Sequence, residues 1–294
     1  MSTPSPPSST PPPWPYCGRG AAPAADIIGC RGIRVQGHTA CLAHLASTDR
    51  YAYLYALAPG ANIDHRGTTF TQDLLNRLLN ALRDPTTGHP RAGDAKFESA
   101  TFEDDAKFES VTFEGDAKFG SAIFKGDAWF QSANFEGDAS FGLATFEGDV
   151  DFGSAIFKGD AKFASATFKR YAEFRWATFK AIAKFGWATF EDSAVFKRVT
   201  FESDAVFELA AFERHTLFGS ATFEGDASFR RATFKAIAWF RRATFKANTC
   251  LRGATFEGDA DFGSVTFEGD ADFGFATFRG NAEFGYRRGE PASE

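Results

Sequence analysis

From Phe97 to Phe284, large apolar residues recur at alternating spacings of five and six. Phe97, Phe102, Phe108, Phe113, Phe119, Phe124, Phe130 and Phe135 open the series, and only Leu251 replaces Phe, where the spacing predicts an anchor. A small residue, usually Ala, stands two before almost every anchor, giving the unit A-x-F-x-x-A-x-F-x-x-x seen in Ala95–Asp105. At roughly 98° per residue the small and large positions would surround a helix axis, so no apolar stripe forms. The repeated Gly and Thr disfavour a helix further. In an extended chain each Ala and its Phe point the same way, but successive pairs have opposite parity. A straight strand would leave half of the Phe in water, and a bend between pairs turns all of them inward. The pattern therefore predicts short edges and corners winding into a coil with an Ala and Phe interior. Gly in the six-residue gaps, as in Glu114-Gly115-Asp116, is expected to supply corners with positive φ. Four edges close a coil of two units; the period alone also admits three or five. Burying one Phe contributes ~1.5–3 kcal/mol, whereas ordering the backbone of one spacing costs ~5–11 kcal/mol. No unit folds by itself, and stability must come from stacking coils.

The periodic part is placed at 92–286. Residues 1–16 are rich in Pro and Ser and are expected to be disordered, and 287–294 reads as a loose tail. The segment 17–91 is expected to be a small, mostly helical cap. Ser47 or Thr48 would cap a helix through Tyr51, Leu54 and Leu57, ended by Pro59-Gly60. Thr71 would cap a second, with Leu74, Leu75, Leu78, Leu79 and Leu82 on one stripe and Pro85 as its stop.

The small-x-Phe-x-x pattern resembles the pentapeptide-repeat family, in the Ala-x-Phe form of actinobacterial proteins. The resemblance implies an all-β solenoid, a right-handed quadrilateral β-helix. The six-residue spacing departs from the family's strict five, which leaves the geometry of two corners per coil open. For some members the resemblance implies a DNA-mimicking topoisomerase inhibitor, usually a long acidic dimer.

The residue between Ala and Phe should face outward. Thr101, Thr145, Thr167, Thr189 and Thr233 would share one column, a fitting exposed β surface. Another column runs Lys107, Trp129, Asp151, Glu173, Val195, Leu217, Trp239, Asp261, Glu283. Val195, Leu217 and Trp239 are expected to form an exposed apolar strip, with Trp176 and Trp187 at corners nearby. Aromatics flanked by Arg231, Arg241 and Arg242 suit an interaction surface for an unidentified protein partner. Net charge is −6 overall. By segment, 93–168 carries 6 basic and 15 acidic groups, 169–252 carries 15 and 9, and 253–294 carries 3 and 9. The basic middle opposes a DNA mimic, and its acidic flanks oppose a nucleic-acid groove.

Cys17, Cys30, Cys41 and His44 offer four soft ligands, a set that zinc binds as a closed structural tetrahedron. His38 is an alternative ligand, and buried free thiols are the plain reading. Cys250 would sit on the outer surface beside the Leu251 irregularity. No nucleophile elbow, P-loop, dinucleotide fingerprint or HExxH motif is present. The carboxylates recur with the repeat, as turn formers and solubilising groups do. The expectation is a non-enzymatic scaffold. No secretory leader or span-length apolar run is read in the sequence, which points to the cytoplasm. An uncovered last coil would pair end to end with a second copy.

Overall fold

The computed structural model describes residues 10–22 and 26–285; the expectations for 1–9 and for the tail at 287–294 fall outside them. Each A-x-F pair forms a two-residue strand, and each strand pairs in parallel with the one a full coil away, as in Thr145 with Thr167 and Lys162 with Lys184. Four such strands make a coil, so the solenoid has four faces. The first face carries Lys118 and Lys162, the second Thr101 and Thr145, the third Trp129 and Asp151, and the fourth Thr112 and Asn134. The third face is a ladder of nine strands and the second a ladder of ten.

The interior is a lattice of rings. Phe119 and Phe141 stack at 5.0 Å and 1°, and Phe141 and Phe163 at 4.9 Å and 3°. Across the coil the rings meet edge to face, as Phe119 and Phe130 do at 5.6 Å and 84°. Offset stacks and edge contacts are both favoured by the ring quadrupole, adding about 0.5–1.5 kcal/mol per pair beyond burial. The opening anchors Phe97 to Phe135 are at most 1 % exposed. At the irregularity, Leu251 replaces a Phe and Thr249 the preceding Ala, and both are buried. The larger small residue accompanies the smaller anchor, and the Thr249 hydroxyl has no partner.

The two kinds of corner differ from expectation. Positive φ falls in the five-residue gaps, at Ser99, Ser110, Ser121 and every eleventh residue onward, including Trp176, Trp187, Arg198, Arg231 and Arg242. The glycines of the six-residue gaps have ordinary φ. They answer to a close approach between coils: a Cβ on Gly159 would lie 2.6 Å from the carbonyl carbon and oxygen of Gly137. The Asp that follows explains the contact. Asp138 donates its amide to the Asp116 carboxylate at 3.2 Å, and Asp160 donates to Asp138 at 3.0 Å. Each carboxylate thus closes the next coil's corner; glycine fits the close approach without displacement, and where Arg170 or Ala247 takes its place the same bond still forms, from Tyr171 to Asp149 and from Asn248 to Asp226. Beside this ladder, lysines reach glutamates one coil away, as Lys125 does Glu103 and Lys169 does Glu147.

The first coil lies inside the expected cap. Strand β1 (Ala61–Asp64) pairs with β3 (Arg91–Lys96), and β2 (Thr69–Phe70) pairs with Thr101–Phe102. Ile63 stands where Ala95 does, and Phe70 where Phe102 does. His65, two after Ile63, therefore takes the place of Phe97, and Gly67 (φ +63°) that of Ser99. The helix α2 (Gln72–Ala81) occupies the remaining side of that coil. Thr71 caps α2 by accepting from the Leu74 amide at 3.3 Å, and the five leucines are buried, as the stripe predicts. The helix α1 (Ser47–Tyr55) begins at the expected place, but its N-cap is Ala46, with no side-chain cap. Within residues 10–16, Trp14 and Tyr16 are held against the segment that follows. Trp14 donates its indole N–H to the Arg31 carbonyl at 2.9 Å, and Tyr16 bridges Ile33.

His65 is 1 % exposed, with Nε2 3.2 Å from the Tyr53 hydroxyl and its ring against Phe70 and Phe97. Burial pushes its pKa down to about 4. In the unfolded chain it titrates near 6.5, so between about 6.5 and 4 only the unfolded state binds the proton. Stability is full above that window and falls with pH inside it, by up to ~1.4 kcal/mol per unit. His65→Phe, which restores the repeat, should flatten this limb in thermal melts between pH 7 and 4. An unchanged slope would assign the acid sensitivity to other groups.

Candidate metal centre and surface ladders

The cysteine segment folds back on itself. Cys17 donates its amide to Gly32 and Gly18 donates to Cys30, each at 2.8 Å, so Cys17 and Cys30 face each other on two antiparallel stretches. Cys41 precedes a single 3-10 turn, Leu42–His44, which brings His44 back over it at i+3. Gly32 makes room for this approach, since a Cβ there would lie 2.9 Å from the Cys41 sulfur. Arg50 of α1 donates to the carbonyls of Leu42, Ala43 and Leu45 and fixes the turn.

The three sulfurs and the His44 ring nitrogen all lie within 4.8 Å of one another. Cys17 Sγ is 3.5 Å and Cys41 Sγ 3.4 Å from His44 Nδ1, and Cys30 Sγ is 3.6 Å from Cys41 Sγ. These separations are far too long for a disulfide, and all four cysteines are free. They match the edges of a tetrahedron with ~2.3 Å metal–sulfur and ~2.0 Å metal–nitrogen bonds, which come to roughly 3.5–3.8 Å. The hydrogen bond from Cys41 pulls the Cys30 thiol down to about 5, with further help from the Gly32 amide and His44. That same bond, with burial, pushes Cys41 up. The two sulfurs thus share one proton, which a metal binding both as thiolates would displace. His38 lies outside the cluster, 3.7 Å from Asp49.

The cluster is locked to the first coil. Ile33 donates its amide to Arg66 at 2.8 Å, Arg66 stacks on Trp14 at 5.0 Å, and Gly67 packs against the Arg31 carbonyl.

On the third face the expected column is continuous from Lys107 to Glu283. Its apolar strip is not uniformly exposed. Val195, a short side chain between Glu173 and Leu217, is buried at 2 %. Leu217 is half-buried, and Trp239 is 37 % exposed. Trp129 is separated from them by Asp151 and Glu173. The corner residues divide between two edges half a coil apart. Trp176, Arg198, Ser220 and Arg242 follow the third face, whereas Trp187, Leu209 and Arg231 follow the first. The sequence-derived set is thus two patches on opposite edges. Cys250 sits on the first face between Ser228 and Asp272. Among the described residues no helix is long and apolar enough to cross a membrane.

Four parallel ladders around stacked aromatic columns define a β-solenoid. A family model of pentapeptide repeats matches nine copies over residues 97–145, 185–233 and 240–286. The chain belongs to the pentapeptide-repeat family. No curated protein and no solved structure matches it significantly.

Proposed function

We propose that this chain is a non-enzymatic scaffold: a rigid solenoid that presents its middle coils to a protein partner and is closed at one end by a zinc-tied cap. The observation that carries the reading is the exposed indoles and arginines held on ladders of fixed spacing. A surface of this kind suits recognition, since exposed aromatic and Arg side chains form interface anchors and are ordered before binding. The periodic carboxylates are engaged in capping the next coil, which leaves them structural work rather than acid–base work. Cys17, Cys30, Cys41 and His44 would hold the zinc with all four positions filled, a structural rather than catalytic site. Thiolate ligands suit a reducing compartment such as the cytoplasm.

The immobilised full chain tests the scaffold reading by affinity capture from its host, against a variant with the exposed middle residues changed to Ser. Recovery of nothing beyond the blank would overturn it. A DNA mimic is disfavoured by the basic middle coils, and a supercoiling assay showing topoisomerase inhibition would reinstate it.

The scaffold also pairs end to end. In the last described coil the inward anchor Phe284 is 54 % exposed and Phe273 and Phe278 are only half-buried, unlike their covered equivalents in earlier coils, an apolar end of the kind that recruits a second copy. The sedimentation coefficient should rise with concentration, and Phe284→Asp should abolish the rise. A constant monomer value for the parent chain would exclude the pairing.

A further inference from the structure

Most lysines of the rod reach a glutamate or aspartate on another coil. One group on the edge following the third face does not. Lys197 and Arg198 stand on one coil, Arg241 and Arg242 two coils further on, and among the described residues none has a carboxylate within ion-pair distance. The coil between contributes Gly219 and Ser220 at the same corner, so the two cationic rows flank a gap about 10 Å across. This gap is a concavity of about 460 Å³ with Trp239 on its wall, and Lys197 Nζ lies 5.5 Å from the indole centroid.

Glycine at 219 creates the space. A Cβ there would touch Lys197 Cγ and Trp239 Cδ1 at 3.9 Å and the Arg241 carbonyl at 3.7 Å, all ordinary contacts, and its φ is not positive. Neither a backbone constraint nor a clash calls for glycine at this corner, unlike at Gly159.

We propose that this cleft takes a short acidic segment of a partner protein. The inference rests on the scaffold reading and adds the chemistry of the partner. Three guanidinium groups present planar forks that match carboxylates, and the indole covers the apolar part of a peptide between them. The cleft's surroundings set the ligand's length. On the third face, Asp151 and Glu173 precede the cleft and Asp261 and Glu283 follow it. A long polyanion laid along the rod meets these carboxylates on both sides. A segment of about three residues spans the gap, at ~3.3–3.6 Å per residue. This favours an acidic peptide over a nucleic acid.

The test is fluorescence anisotropy of a labelled hexaglutamate peptide with the full chain at low salt, where exposed charges are least screened. Saturable binding is expected. Arg241→Ala with Arg242→Ala should weaken it roughly tenfold or more. Gly219→Glu, which places a carboxylate in the gap, should do the same while leaving the melting temperature unchanged. Arg230→Ala with Arg231→Ala removes the same charge from the opposite edge and should change it by less than about twofold. Equal losses in both double variants would reduce the effect to net charge and overturn the site. Absence of saturable binding, or tighter binding of a labelled oligothymidylate or a short DNA duplex than of the peptide, would overturn it too. If capture recovers the same partners with Arg241 and Arg242 replaced, the cleft fails and the scaffold reading stands; if the parent chain captures nothing, it is the scaffold reading that fails.

Discussion

Cys41→Ser should abolish zinc binding and unfold the N-terminal cap while most of the solenoid stays wound. The parent chain should carry one zinc per molecule by elemental analysis, and the variant close to none. Cys41 is fully buried, 3.6 Å from Cys30 and 3.4 Å from His44, so its loss opens the tetrahedron from within. Metal binding to such sets amounts to about 10–16 kcal/mol in isolated small domains, and it is also the folding energy of the segment that supplies the ligands. Here that segment has few apolar residues of its own, chiefly Ile28, Ile33, Val35, Leu42 and Leu45. It leans on the first coil through Ile33 and Arg66, so protection from hydrogen exchange should be lost over residues 17–45 first and over β1 and β2 next. Chelator treatment of the parent chain should reproduce this pattern. A zinc-free parent chain with a fully protected cap would show that the thiols are merely packed together.

Gly159→Ala should destabilise the rod by about 1–3 kcal/mol, the usual cost of overpacking, since equivalent corners already carry Ala181, Ala236 and Ala247. Gly142→Ala should be nearly silent. Both glycines have ordinary φ, and the difference lies in what a methyl group would meet. At 159 it would be driven against the backbone of Gly137, 2.6 Å away, whereas at 142 the nearest atom is the Ala164 carbonyl oxygen at 3.6 Å. Relief at 159 requires the corner to shift, as it does at Ala247, where the Asn248–Asp226 bond is kept at 3.0 Å, and that shift works against the Asp138–Asp160 bond. Urea denaturation of the two variants measures this, and equal midpoints would mean that coil spacing is softer than the ladder implies.

The solenoid was legible because one chemical type marks every inward position and the parity argument admits no straight strand. The reason for Gly115 and its equivalents was not. A glycine in a corner suggests positive φ, yet Ser99, Trp176 and Arg242 take that conformation, while the glycines respond to a neighbour 22 residues away that no local rule reveals. The first coil was hidden for a related reason. Ile63-Asp64-His65-Arg66-Gly67-Thr68-Thr69-Phe70 is a repeat unit with Ile for Ala and His for Phe, and α2 then lengthens the coil beyond the period. A search that allowed His at an anchor would have found it. The four metal-site residues were visible as residue types, and only folding showed that Gly32 and the 3-10 turn bring them together. Exposure was the hardest to read, since neighbours on the ladder decided that Val195 is covered and Trp239 is not.

The ladder of aspartates has a direction. Asn62 receives the Asp94 amide at 2.8 Å, Asp94 receives that of Asp116, and Asp116 that of Asp138. From Asp94 to Asp160 each coil brings an amide that finds its acceptor already in place on the coil nearer the N-terminus, and beyond Ile182, which offers no acceptor, the ladder resumes from Asp204 to Asn248. The order of docking therefore follows the order in which a ribosome releases the chain, with Asn62 as the uncharged starting block. A polypeptide still being made can wind onto its finished portion one lap at a time, without waiting for its far end.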